Sequence, residues 1–160
     1  MSDERLTFAL VETGDTLRRV WPFVRDYLAA ALEFSVQNEW TADQVFERIE
    51  RGQYLLAIVL RGGAVIGAQV FEHGTDAHGK RYVASVCTGG VDLEEWLGGM
   101  VAICKRLAEL AHADRVVIMG RRGWGLALRA YGLEVRTIIG TADVDKIVTP
   151  VEFAELVGGL

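Results

Sequence analysis

Arg121 and Arg122 stand inside a glycine turn, Gly120 to Gly123, that opens onto an apolar run beginning at Trp124. Two guanidinium groups beside the free N–H groups of a helix start make an anion site, because both sets of donors point at the same oxygens. The same residues also suit a solvated or salt-bridged turn that happens to be basic. His73, Asp76 and His78 share one polar loop. A metal ion wants three or four fixed ligands, and a loop fixes few, so no metal is expected. His112 ends a helical pattern and is read as a cation at the negative helix end. Cys87 and Cys104 lie among apolar residues and are expected as buried free thiols. The chain shows no Ser-His-Asp order, no Cys-His pairing and no Walker-type phosphate loop.

Bulk properties restrict the partners. A formal charge of −5 argues against nucleic acid and against an anionic membrane surface. A chain of 160 residues at 51% hydrophobic content is expected to form one domain over 1–160 with a full core. No apolar run approaches the roughly 20 residues that span a bilayer. No segment has the order of a signal peptide, so a soluble, intracellular protein is expected.

The elements that must position these groups follow from periodicity. Leu6 to Val11 reads as a strand, broken by Gly14. Asp15 is placed to cap a helix whose apolar face is Leu17, Val20, Trp21, Val24, Leu28, Ala31 and Leu32. Pro22 inside that pattern predicts a kink or restart near Trp21. Thr41 and Gln44 spell a capping box for a second helix, and Gly52 stops it. Tyr54–Leu60 and Ala64–Phe71 read as strands joined at Gly62-Gly63, where both residues tolerate positive φ. A loop at 73–80 leads to a third strand, Tyr82–Val86. Thr88-Gly89-Gly90 reads as the turn that ends it. Asp92 and Glu95 then read as the capping box of a helix running to about His112. Its buried stripe includes Trp96, Leu97, Met100, Cys104 and Leu107. Arg115–Met119 is a central-strand candidate, Trp124–Ala130 a short helix and Leu133–Ile139 the last strand. Thr149-Pro150-x-Glu152 opens a closing helix over Pro150–Val157. Trp124 is read as a core or interface anchor and Trp96 as core. Trp21 and Trp40 suit either. Val36, Trp40, Val148, Phe153, Leu156 and Leu160 suit either core packing or an interaction surface, the latter allowing self-association. The predicted class is α+β: a single mixed, mostly antiparallel sheet of about six strands with helices on both faces.

That element order resembles the Gcn5-related N-acetyltransferase (GNAT) fold over nearly the whole chain. A narrower likeness rests on Gly89-Gly90, Leu93, Trp96, Gly120-Arg121-x-Gly123-Trp124, Leu128 and Gly132. This set is similar to small GNAT-like proteins of tailed phages and prophages. The likeness implies a virion-associated or assembly protein whose partners are other virion or assembly proteins. Its place would be the host cytoplasm during assembly, or the virion.

In active GNAT enzymes the turn after the fourth strand reads Gln/Arg-x-x-Gly-x-Gly/Ala and holds the coenzyme A pyrophosphate on its N–H groups. Thr88, Gly89 and Gly90 occupy that position here. Neither frame of the motif supplies Gln or Arg, and each matches only one of the two small residues. Asp92, Glu94 and Glu95 put carboxylates where the pyrophosphate would sit. The resemblance places the leaving-group acid at Leu128, with Tyr131 the nearest phenol. Glu72, at the end of the preceding strand, is the only acidic candidate for a base. The resemblance therefore implies a GNAT-like protein with a degenerate cofactor turn, non-catalytic, with no cofactor expected. The alternative is an acetyl-CoA-dependent N-acetyltransferase with an atypical site, using Glu72 and Tyr131.

Overall fold

The computed structural model describes residues 5–33, 40–120 and 123–134. Five strands form one sheet in the order β1 (Leu6–Val11), β2 (Leu55–Arg61), β3 (Ala64–Thr75), β4 (Arg81–Gly90) and β5 (Arg115–Ile118). The first four pair antiparallel, and β5 runs parallel to β4. Helices α1 (Asp15–Leu32) and α2 (Ala42–Glu50) lie between β1 and β2 in the chain. Helix α3 (Leu93–Leu110) connects β4 to β5, and α4 (Trp124–Arg129) follows β5. This is the predicted mixed α+β sheet. The predicted sixth strand extends past residue 134, and the closing helix at 150–157 also lies outside the described residues.

The central strands are mostly apolar where helices cover both sheet faces. Leu56, Ile58, Ala68, Val70 and Cys87 face Leu17, Trp21, Val24 and Leu28 of α1, with Val45 and Ile49 of α2. Ala57, Phe71 and Val83 face Cys104, Leu107 and Ala108 of α3. Val59 and Ile66 meet Trp96, Leu97 and Met100 of α3, together with Leu128 of α4. Alternate residues along β2 thus enter opposite cores, as the period of two requires. Trp21 and Trp96 are core residues, and Trp40 packs against the α1–α2 core beneath the Arg48 guanidinium, 3.8 Å from its ring centre.

Two local expectations hold in full. The Thr41 hydroxyl accepts from Gln44 N–H at 3.2 Å, and Gln44 Oε1 accepts from Thr41 N–H at 2.8 Å. Gly62 and Gly63 have φ of 56° and 82° and make the β2–β3 hairpin. Two others fail. Asp15 does not cap α1; Gly14 precedes the first turn without a side-chain bond, and Asp15 instead accepts from Arg18 at 3.3 Å. The restart expected at Pro22 is absent: α1 runs on from Asp15 to Leu32 with Pro22 inside it. Pro22 deprives the Arg18 carbonyl of its helical donor, but it sits on the solvent face, where water can serve that oxygen.

The strands flanking the predicted loop at 73–80 are longer than predicted. His73 to Thr75 belong to β3, leaving a tight turn at Asp76. Its Oδ1 accepts from His78 N–H at 2.8 Å and Lys80 N–H at 2.9 Å, and its Oδ2 pairs with Arg115. Asp76 is therefore a turn-former. Among the described residues no group of three His, Cys, Asp or Glu side chains converges on one point.

Candidate functional site

The place to look for a site is where β4 and β5 separate. Tyr82, Val83, Ala84 and Ser85 pair with Arg115, Val116, Val117 and Ile118. The ladder ends with Met119 N–H donating to Ser85 C=O at 3.0 Å. Beyond it β4 continues to Gly90 with no β5 partner. The cause lies on the other edge of β4. Val70 pairs with Cys87 and Phe71 with Ser85, so Val86 is an extra, bulged residue. A bulge bends its strand and raises its twist. Here it falls directly after the last residue paired with β5, so the two strands part at that point. Sequence reasoning missed this bulge. Val86 is an ordinary strand residue, and only the register of two partners exposes it.

Thr88, Gly89 and Gly90 are not the turn that was expected. They are strand residues paired with Gln69, Ala68 and Gly67. Gly89 lacks a side chain because α1 crosses over it. A Cβ there would come within 2.1 Å of the Tyr27 carbonyl oxygen. At Gly90 a Cβ would meet the Ile66 carbonyl oxygen at 2.5 Å and Gly67 Cα at 2.6 Å. Both glycines are thus required for close packing. The actual turn is Val91-Asp92. Val91 N–H donates to Ile66 C=O, and Trp96 Nε1–H donates to Val91 C=O, both at 2.9 Å.

Asp92 does not cap α3. It adopts a left-handed conformation, φ 51° and ψ 38°, with no side-chain bond to the helix. Arg61, at the far end of β2, takes the carboxylate instead. Its Nη1 donates to Asp92 Oδ2 at 2.7 Å and its Nη2 to Glu95 Oε2 at 2.5 Å. One guanidinium thus holds both residues of the expected capping box. Among the described residues, Asp92, Glu94 and Glu95 bring three carboxylates to this helix start, and Arg61 pairs with two of them. The helix end supplies only about half a positive charge. A phosphate about 4 Å from one unpaired carboxylate meets roughly 4 kcal/mol of repulsion at an effective dielectric near 20. The carboxylates of this helix start therefore oppose an anion there.

Below β4 lies a buried polar group of four residues. Gln69 Nε2 donates to Ser85 Oγ at 2.9 Å and to Cys104 Sγ at 3.5 Å, and the Ser85 and Thr88 hydroxyls are 3.1 Å apart. Gln69 Oε1 is buried with no hydrogen-bond partner among the described residues. Burial pushes the Cys104 thiol up to about 11, opposed by the Gln69 bond, and pushes the Cys87 thiol up to about 12. Both cysteines are free and buried. Neither is a nucleophile at neutral pH, because the thiolate is the reactive form.

Glu72 and Tyr131 fall on opposite sides of the sheet. Phe71 enters the core beneath α3, so Glu72, its neighbour on β3, faces the other way. Glu72 is half-buried, and its register neighbours across the sheet are Ala84 and then Val117. Tyr131 follows α4 with its phenol against Gly98 of α3, and it is 48% exposed. Leu128, the position the resemblance gave to the acid, is a core residue. Trp124 packs its ring on Gly120 and joins the core of Trp96 and Met100. Arg121 and Arg122 lie outside the described residues. Arg61 was also missed, because nothing local at the mouth of a hairpin signals a partner 31 residues on.

No protein-family model matches the chain, and no curated protein matches it. Solved structures do. An aminoglycoside acetyltransferase from an uncultured soil metagenomic sample superposes with a TM-score of 0.61 at 9% identity, covering 87% of this chain and 96% of that one. A predicted acetyltransferase with acetyl-CoA from Clostridium acetobutylicum gives 0.60 at 6% identity, covering 89% and 99%. A GNAT family acetyltransferase from Staphylococcus aureus gives 0.57 at 10%, covering 87% and 98%. At these identities the likeness is one of fold. The chain has a GNAT-like fold. Among the described residues no helix is long and apolar enough to cross a membrane.

Proposed function

We propose that this chain is a GNAT-fold protein that works through contacts with other proteins and not by acyl transfer. The observation that carries the reading is the start of α3, where Arg61 is already committed to Asp92 and Glu95 and Glu94 adds a third carboxylate. A coenzyme A pyrophosphate would have to displace that arrangement against repulsion. Gly89 and Gly90, the residues nearest the family's phosphate turn, serve packing against α1 and β3. Glu72 and Tyr131 do not face one reacting centre. The motif likeness to small GNAT-like phage proteins supports a virion-associated or assembly role with other virion proteins as partners. Isothermal titration of the full chain with acetyl-CoA tests the reading. The expected result is no heat of binding at ligand concentrations up to the millimolar range. Micromolar affinity would overturn it.

One observation favours a second reading, an acetyl-CoA-dependent N-acetyltransferase with an atypical site. The bulge at Val86 leaves β4 and β5 parted, as a ligand lying between them would need. In that reading Glu72, or water held by it, takes the proton of the amine. Mass-spectrometric detection of acetylated amines from a mixed panel, lost in Glu72→Gln, would favour it over the first.

A further inference from the structure

Strand β1 stands at one end of the sheet, paired with β2 on one side and, among the described residues, open on the other. An open edge presents a row of N–H and C=O groups that a further strand can take, and proteins commonly blunt it with a lysine, a proline or a bulge. Leu6–Val11 has none of these. It carries no charge and no proline, and its register with β2 runs from end to end without a shift. The even-numbered side chains of β1 face α3. Leu6 and Phe8 pack on the core of Trp96 and Met100, and Phe8 lays its ring on Gly99 of α3, where a Cβ would collide with it. Leu10 continues the row, 54% exposed, beside a hollow of about 120 Å³ between β1 and the last turns of α3. Leu110, which also lines that hollow, is 59% exposed.

The row Leu6-Phe8-Leu10 reads the same in both directions, and this decides what fits the edge. Two identical strands pair antiparallel about a two-fold axis perpendicular to the sheet, which keeps each face on its own side. Opposed residues therefore share a face, and the axis passes through a residue and not between two. With the axis at Phe8, Leu6 meets Leu10 of the second copy, Phe8 meets Phe8, and Leu10 meets Leu6. On the other face Thr7 meets Ala9, a small pair. We propose that β1 pairs antiparallel with β1 of a second copy about Phe8, joining the two five-stranded sheets into one. The pairing sets an apolar side chain against Leu10 and brings the hollow beside Leu110 next to the joint. Each chain has a net charge of −5, and the uncharged strand lets two of them meet with no like charges opposed along Leu6–Val11. A strand of another protein would have to supply the same spacing of apolar residues, which a second copy has already. The inference concerns assembly and rests on neither reading of the function.

The test is sedimentation equilibrium of the full chain at about 100 µM, where the expected result is the mass of two chains, falling to one on dilution. Leu10→Lys and Leu6→Glu should each weaken the dimer at least tenfold. An equimolar mixture of the two variants should pair again, because the new carboxylate of one chain then faces the new ammonium of the other. Circular dichroism verifies that each variant is folded. In the unaltered chain, the amides of Leu6–Val11 that face the open edge should exchange their hydrogens at least tenfold faster after dilution to the monomer. A chain that stays a monomer at about 100 µM, or a dimer that Leu10→Lys leaves equally tight, overturns the proposal. Two folded variants that do not pair when mixed overturn the axis at Phe8. Should Leu6→Glu unfold the chain, hydrogen exchange decides, and equal rates before and after dilution overturn the pairing.

Discussion

Arg61 Nη1 lies 2.7 Å from Asp92 Oδ2, tying the end of β2 to the residue that begins α3. The same guanidinium reaches Glu95 one turn later. The pairing fixes the helix start without a side-chain cap and brings the acids of that turn under one base. Exposed ion pairs contribute about 0.2–1 kcal/mol each. Arg61→Met should therefore lower unfolding stability by about 1 kcal/mol in low salt. Because the acids are half or more exposed, the loss should shrink in 0.5 M NaCl, where screening weakens the wild-type pairs. Urea unfolding at two salt concentrations measures both effects.

The two glycines Gly89 and Gly98 should respond in opposite ways to the same added methyl group. At Gly89 the new Cβ would lie 2.1 Å from the Tyr27 carbonyl oxygen, which is helix backbone and cannot move alone. Gly89→Ala should cost upwards of about 2 kcal/mol, in the range of severe overpacking. At Gly98, inside α3, the nearest atom is the Tyr131 hydroxyl at 3.0 Å, at the tip of a half-exposed side chain. Gly98→Ala gains helix propensity of about 0.8–1 kcal/mol and displaces only that phenol. It should raise the melting temperature while Gly89→Ala lowers it, as scanning calorimetry of the pair would show.

Gln69 carries an unpartnered buried oxygen in the middle of the structure. A buried polar atom left unpaired costs about 1–3 kcal/mol. Gln69→Met has nearly the same shape and removes both amide atoms. The Ser85 hydroxyl keeps Thr88 as its partner, so no new orphan is created. The substitution should therefore leave stability unchanged or raise it by up to about 1 kcal/mol. A loss above about 2 kcal/mol in denaturant unfolding would mean that the amide oxygen is satisfied, for example by an ordered water.

What could be read from the sequence was what depends on neighbours in the chain. The Thr41–Gln44 box and the Gly62-Gly63 hairpin involve residues at most three apart, and both form as expected. The strands and helices of the central region were legible because their apolar periods reflect two covered sheet faces. The failures share one cause. Asp92 had the sequence signature of a cap, but Arg61 competes for it from another element. Gly89 and Gly90 looked like a turn, because glycine marks a turn and a close approach with the same letter. The bulge at Val86 is a mismatch between two registers and has no residue type of its own. The end of β4 was therefore legible as a place where strand gives way to helix, while the long-range contacts around it were invisible.

The two buried thiols set a pH window. The unfolded chain sheds its thiol protons from about pH 9, whereas burial holds Cys104 protonated to about 11 and Cys87 to about 12. Between these limits the unfolded state binds fewer protons than the folded state, so stability must fall as pH rises. Each thiol contributes a slope of up to about 1.4 kcal/mol per pH unit there and nothing below pH 8. Urea unfolding between pH 8 and 10.5 should show this decline. The Cys87→Ala/Cys104→Ala protein should be less stable at pH 8, through the lost packing, yet should decline less steeply over the same interval. Parallel curves for the two proteins would mean that the thiols are not protected from ionisation. Rapid modification by a thiol reagent at pH 8 would lead to the same conclusion, since a thiol titrating near 11 or 12 is less than about 1% thiolate there.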